Sequence, residues 1–152
     1  IVVVQSGAQG REEHEEEPIL GIPKKPSRDL QYELYKTLIL DMIPAIVRKD
    51  ISAFGKALTR IQFLTGEYFS EYQEGIFCCR ETEETIKLLL DNGVYGVGQS
   101  SWGPAAYGLV DNYYSAKRIL SRTLKGLKEK GIRVSIAFIA KPRNRGFVIK
   151  YH

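Results

Sequence analysis

Between residues 96 and 104 the chain reads Gly-Val-Gly-Gln-Ser-Ser-Trp-Gly-Pro, and no other stretch gathers so many groups suited to holding a ligand. Gly96, Gly98 and Gly103 let the backbone approach a guest closely or adopt positive φ without a side-chain clash. Gln99, Ser100 and Ser101 bring amide and hydroxyl groups that can donate to phosphate or carboxylate oxygens. Successive main-chain N–H groups in such a turn can also form a concave anion site. Trp102 is the only tryptophan, a large flat ring in a small-residue loop that either walls an aromatic substrate or packs on a helical layer. Pro104 closes the stretch. A plain hairpin turn accounts for the same composition, so both readings stay open at this point. The loop is no P-loop, because no Gly-Lys-Ser/Thr follows. It is no dinucleotide fingerprint either, because the segment beyond it reads as a strand.

Other reactive residues are sparse. Cys78 and Cys79 are adjacent, a spacing poor for an ordinary structural disulfide, and no second pair completes a zinc site. They read as two packed thiols in a reducing cytoplasm. His14 stands among Glu12, Glu13, Glu15, Glu16 and Glu17, which reads as a solvated acidic turn, so no metal ligands are assigned. Asp91 and Asp111 flank the glycine-rich stretch as caps or turn formers, and no acid–base pair is named catalytic. The last third is basic, from Lys117 through Arg145 to Lys150. Its bases are not interleaved with aromatics as on a single-strand stacking surface, so they read as a solvated helix face and not as a nucleic-acid site.

The elements that must position the turn follow from periodicity. The 152 residues, 43% apolar and 26% charged, suit one globular domain. No apolar run approaches the roughly 18 residues that would span a bilayer. The chain opens on Ile-Val-Val-Val, a strand with no preceding Met, which reads as a segment of a longer protein. After irregular residues 6–26, an apolar stripe at Leu30, Leu34, Leu38, Met42 and Ile46, widened by Ile39, Ile43 and Val47, predicts a helix that Pro44 kinks or ends near Met42. Asp50 caps a second helix with Phe54, Leu58, Ile61 and Leu64 on its apolar face, ending at Thr65-Gly66. Residues 67–80 read as irregular and aromatic-rich. A third helix, capped by Thr82, stops at Asn92-Gly93. Strands at 94–100 and 105–110 flank the glycine-rich turn, a helix covers 115–130, and 132–139 alternates with period two. Residues 141–146 form a turn before a closing strand at 147–151. The order predicts an α+β domain, an antiparallel sheet with helices packed on one face.

The wording Gly98-Gln99-Ser100-Ser101-Trp102-Gly103-Pro104, followed by Ala105-Ala106-Tyr107-Gly108-Leu109, resembles the third glycine-rich motif of the GHMP superfamily. Within it, the tryptophan-bearing loop is similar to the β-ribofuranosylaminobenzene 5′-phosphate synthase branch. Met42-Ile43-Pro44-Ala45, Phe54-Gly55-Lys56-Ala57-Leu58, Ile61-Gln62 and Asn144-Arg145-Gly146 carry the likeness further, while Glu74 stands where the branch tends to have Gly. The resemblance implies a GHMP kinase C-terminal, ferredoxin-like domain over residues 1–152, with the ATP- or phosphate-binding half upstream. It implies a cytoplasmic, archaeal-type glycosyltransferase of methanopterin biosynthesis. That enzyme joins phosphoribosyl pyrophosphate to a hydroxy- or aminobenzoate, with loss of CO₂ and diphosphate and with Mg²⁺ in the full-length protein. The residues it assigns to substrate are Gly96, Gly98, Gln99, Ser100, Ser101, Trp102, Gly103, Pro104, Asn144 and Arg145. The partners implied are the N-terminal half of the same protein and the small-molecule substrates, with a homodimer left open and the isolated chain expected to be inactive. The competing readings are a GHMP-type ATP-dependent sugar kinase and a non-catalytic ligand- or partner-binding domain.

Overall fold

A computed structural model describes residues 1–5, 25–73, 75–142, 144–146 and 149. The acidic run at 12–17, Arg143 and most of the expected closing strand at 147–151 lie outside the described residues. Strands β1 (Val2–Gln5), β2 (Gly96–Gln99), β3 (Ala105–Leu109) and β4 (Val134–Phe138) form one antiparallel sheet in the order β2-β3-β1-β4. Helices α1 (Arg28–Lys36), α2 (Ile43–Val47), α3 (Ile51–Gln73) and α4 (Arg80–Asp91) separate β1 from the β2–β3 hairpin, and α5 (Tyr113–Glu129) separates β3 from β4. This is the expected ferredoxin-like α+β arrangement.

The core lies between α4, α5 and one face of the sheet. Ile86 and Leu89 from α4, and Ile119 and Leu127 from α5, meet Val3, Val97 and Ala106. Asn112 caps α5 by accepting the Ser115 N–H at 2.8 Å, and Gly93 ends the chain's α4 turn with φ +90. Cys79, not Thr82, precedes the first residue of α4; Thr82 sits buried one turn in. In β4 the simple alternation breaks. A bulge opposite Val4/Gln5 turns Val134 toward the core, while Ile136 and Phe138 stay 57% and 46% exposed on the open face.

Pro44 does not end its helix. The helical path continues from α1 into α2 through a wider π-helical turn, Thr37–Met42, in which the Ile43 N–H donates to the Leu38 carbonyl. Proline lacks an N–H and its ring would strike the carbonyl four residues back; a widened turn relieves both conflicts. The stop comes later, at Lys49, which takes φ 56 while Asp50 N–H donates to Ala45 O at 2.9 Å and Lys49 N–H to Ile46 O at 3.0 Å. The widened stripe is only partly covered: Leu30, Leu34 and Met42 are half-buried, whereas Ile39 and Val47 are 51% and 77% exposed. Among the described residues no helix is long and apolar enough to cross a membrane.

The element that shapes the site is α3. Asp50 caps it as expected, accepting the Ala53 N–H at 3.0 Å. Thr65-Gly66 does not end it, and the helix runs on to Gln73. Gly66 is buried, and a Cβ there would strike the Ile76 carbonyl, so this glycine admits a returning chain instead of terminating a helix. Along its first half α3 lies against the free edge of β2. The outward-facing amides of that edge strand find side chains: Val97 N–H donates to Thr59 Oγ1 and Gln99 N–H to Gln62 Oε1, each at 3.0 Å. Capping an edge in this way removes unpaired donors that would otherwise template aggregation. The approach is close enough that a Cβ on Gly55 would collide with the Tyr95 carbonyl.

Two outcomes follow from this contact. Gly55→Ala, which in an open helix would stabilise by about 0.5–1 kcal/mol, is expected to destabilise by about 1–3 kcal/mol through overpacking, read by urea denaturation; a gain in stability would mean that α3 can step back freely. Thr59→Val keeps the shape but orphans the Val97 N–H, and is expected to cost about 1–3 kcal/mol in the same measurement.

Candidate functional site

The turn between β2 and β3 is organised by the side chain of Gln99, which is 8% exposed. Its Oε1 accepts the Cys78 N–H at 2.7 Å; its Nε2 donates to Ser101 O at 2.9 Å and to Gln73 Oε1 at 3.3 Å. Both ends of the amide are therefore engaged within the protein. A buried amide satisfied on both ends is a rigid strut, because breaking any one bond leaves a desolvated polar group. Around it Gly103 N–H donates to Ser100 O at 2.9 Å and Ser100 N–H to Ala105 O at 2.8 Å. Ser101 takes φ 48 and Gly103 φ 76, and the Gly103–Pro104 peptide is cis.

Part of the expected run of bare amides is already engaged: the N–H groups of Gln99, Ser100 and Gly103 donate within the protein. The glycines serve packing. Gly96 lies against Gly55, with 2.7 Å between a would-be Cβ and the Gly55 Cα. Gly98 leaves room for the Tyr107 hydroxyl and the Gln62 amide, and Gly103 for the Cys78 sulfur.

The turn nevertheless borders a cavity of about 280 Å³ between itself, the second half of α3 and residues 75–78. Phe69, Ile76, Phe77 and Trp102 supply its apolar wall. Three amides, from Gln62, Gln73 and Gln99, and two hydroxyls, from Thr65 and Ser101, supply its polar groups. Trp102 is 8% exposed and meets Phe69 edge-on, with ring centroids 5.1 Å apart at 71°. Such an edge contact fixes the ring's plane while leaving part of it for a guest. No charged residue lines this cavity among the described residues. Beside it, burial pushes the Tyr107 phenol above its ordinary range, so it stays protonated at neutral pH.

A larger cavity, about 460 Å³, lies between α1 and α3 and has the opposite character: Asp29, Glu33, Glu67 and Glu71 line it against Lys25. Its charge repels anionic substrates. Among the described residues no group of three or more His, Cys, Asp or Glu is placed to hold a metal ion.

Of the residues singled out from sequence, Gln99, Ser101 and Trp102 line the smaller cavity. Gly96, Gly98, Ser100, Gly103 and Pro104 shape the turn behind it. Asn144 and Arg145 are exposed and contribute nothing to the lining. β4 carries the chain toward them from its Phe138 end, which lies level with Val2 and Tyr107, whereas the turn sits beyond Ala105 at the other end of the sheet. The described basic residues of the last third do not line the cavity; on α5, Lys117 sits over the Tyr113 ring at 5.7 Å and Lys125 pairs with Glu129 at 3.9 Å. Sequence reasoning missed Gln62, Thr65, Phe69, Gln73, Ile76 and Phe77. A signal was present: residues 62, 66, 69 and 73 fall at intervals of four, three and four, one face of a helix continuing past Gly66.

A family model described as GHMP kinases C terminal matches residues 42–128. The chain is 32% identical over 126 residues to the β-ribofuranosylphenol 5′-phosphate synthase of Archaeoglobus fulgidus, a match covering 82% of this chain and 36% of that protein. It is 33% identical over 90 residues to the synthase of the same name from Methanothermobacter thermautotrophicus, covering 57% and 25% respectively. The matches thus span about a third and a quarter of the lengths of these two curated relatives. The crystal structure of homoserine kinase from Cytophaga hutchinsonii shares its fold, with a TM-score of 0.65 at 16% identity over 88% of this chain and 39% of that one. The matched stretch begins just before Pro44 and takes in α3, the Gln99 turn and nearly all of α5, and on it the chain belongs to the GHMP kinases C-terminal family.

Proposed function

We propose that this chain is the C-terminal part of a cytoplasmic transferase that joins phosphoribosyl pyrophosphate to a hydroxy- or aminobenzoate in methanopterin biosynthesis. Carbon dioxide and diphosphate leave, and a C-riboside forms. The observation that carries the reading is the uncharged, aromatic-walled cavity bounded by Trp102, taken with the likeness to two proteins named as β-ribofuranosylphenol 5′-phosphate synthases. Its volume lies just below the usual range of about 300–1,000 Å³ for ligand pockets, which suits a single aromatic ring.

In this reading Trp102 and Phe69 hold the ring's plane, so that the carbon losing its carboxyl group faces the anomeric carbon of the sugar. The Gln62 and Gln73 amides and the Ser101 hydroxyl meet the ring's polar substituents, while Gln99 positions the turn through its internal bonds. With no cation among the described lining residues, no ion pair there ties the carboxylate down against its departure as neutral CO₂. The phosphates need positive partners that the cavity lacks, and the reading assigns them to the N-terminal half of the same protein. The Mg²⁺ that the family resemblance implies finds no ligand set among the described residues.

Assay of the whole protein with phosphoribosyl pyrophosphate and 4-hydroxybenzoate or 4-aminobenzoate is expected to release CO₂ and diphosphate. Phosphorylation of an alcohol at the expense of ATP, without that release, would place the protein among the kinases instead. Trp102→Ala is expected to raise the KM for the aromatic acid about tenfold, near 1.4 kcal/mol, with Trp102→Phe in between and the KM for phosphoribosyl pyrophosphate nearly unchanged. Equal losses for both substrates would assign the indole to packing alone.

A further inference from the structure

Behind the turn, on the side away from the cavity's aromatic wall, stand the only two cysteines of the chain. The sulfurs of Cys78 and Cys79 lie 3.3 Å apart, and the Thr82 hydroxyl is 3.2 Å from each. Both residues are partly exposed, and they directly precede the 12-residue helix α4, with Cys79 extended at its N-cap position. The partial positive charge of that helix end favours a thiolate.

The two sulfurs are not equivalent. The hydrogen bond from Cys78 holds the Cys79 thiol below its ordinary range, with the Thr82 main-chain N–H helping and burial and Glu81 opposing. The same bond, with burial, pushes Cys78 well above the usual thiol range. One sulfur is poised as a nucleophile while the other keeps its proton. Once the charge on Cys79 is consumed, the main cause holding the Cys78 proton is gone, which readies the second thiol for its own step.

The pair is joined to the turn at three points. The Cys78 N–H donates to Gln99 Oε1 at 2.7 Å, the Thr82 hydroxyl donates to the Pro104 carbonyl at 3.2 Å, and the Cys78 sulfur fills the space beside the Gly103 α-carbon. Drawing the Cys78 sulfur onto Cys79 empties that space.

We propose that Cys79 and Cys78 form a thiol–disulfide exchange site for low-molecular-weight disulfides, and that its closure to a Cys78–Cys79 disulfide reshapes the turn that carries Trp102. The Cys79 thiolate attacks one sulfur of the small disulfide RSSR; the S–S bond breaks, and the departing thiolate takes up the proton that Cys79 had released. Cys78 then attacks the Cys79 sulfur, forming the intramolecular bond and expelling the second small thiolate, which takes up the Cys78 proton. The two cysteines lose two electrons, and RSSR gains them as two RSH. Adjacent α-carbons stand about 3.8 Å apart, short of the roughly 4.4–6.8 Å of ordinary disulfides, so the closed form is strained and readily reopened, as an exchange site requires.

Oxidised glutathione added to the full chain tests this by mass spectrometry and by the emission of Trp102, its single tryptophan. The wild type is expected to lose the mass of two hydrogens and keep no glutathione, with an emission change that dithiothreitol reverses. Cys78→Ser should instead trap one glutathione on Cys79, and Cys79→Ser should react about tenfold more slowly. In urea the difference between the two variants should vanish. Equal rates for the two serine variants in the folded chain, a stable glutathione adduct on the wild type, or a closed disulfide that leaves Trp102 emission unchanged would each overturn the proposal.

Discussion

The contact between α3 and the free edge of β2 is the constraint on which the rest of the molecule depends. An edge strand with unpaired donors must be covered, and here a helix covers it at backbone distance, Gly55 against the Tyr95–Gly96 peptide. Thr59 and Gln62 reach across the contact to take the two outward amides. Because these anchors sit in the first half of a 23-residue helix, the second half has a fixed direction. It overhangs the end of β2, where the Gln99 turn lies. The cavity is the space left under that overhang.

Gln99 is where the sheet edge, the overhanging helix and the 75–78 segment meet. Its main chain binds Gln62, and its side chain binds Gln73, Cys78 and Ser101. A buried residue holding four partners in three segments gives the turn one conformation. The left-handed Ser101 is tolerated because the turn is closed around it by the Ser100–Gly103 and Ser100–Ala105 bonds. Rigidity of this kind suits recognition by shape.

Charge is sorted away from this centre. Carboxylates gather in the cavity between α1 and α3, bases stand exposed along α5, and the described lining of the Gln99 cavity is amides, hydroxyls, aromatic rings and Ile76. The partly covered stripe on α1 and α2 and the open sheet face at Ile136 and Phe138 belong to the same picture of a domain with apolar surface in reserve.

Much of the fold was written locally. The strands at residues 1–5 and 132–139, the cap at Asp50 and the stop at Gly93 rest mainly on neighbours along the chain, so they can be read from it, although the bulge that breaks the alternation in β4 cannot. The residue types around Gln99 likewise marked the turn as special, and their wording carried the family resemblance. What the chain by itself could not decide was whether Pro44 and Gly66 act as breakers. Each is a breaker by propensity. Each is overruled by a packing partner distant in sequence or by a widened turn, because tertiary contacts outweigh the cost of about 1–3 kcal/mol per residue. The second half of α3, and with it Phe69 and Gln73, went unread for that reason. Whether the turn's amides faced a guest or their own protein was also a tertiary matter, settled by Gln62 and Ala105. Sequence types name the groups available for binding; only the fold decides which of them are already spent.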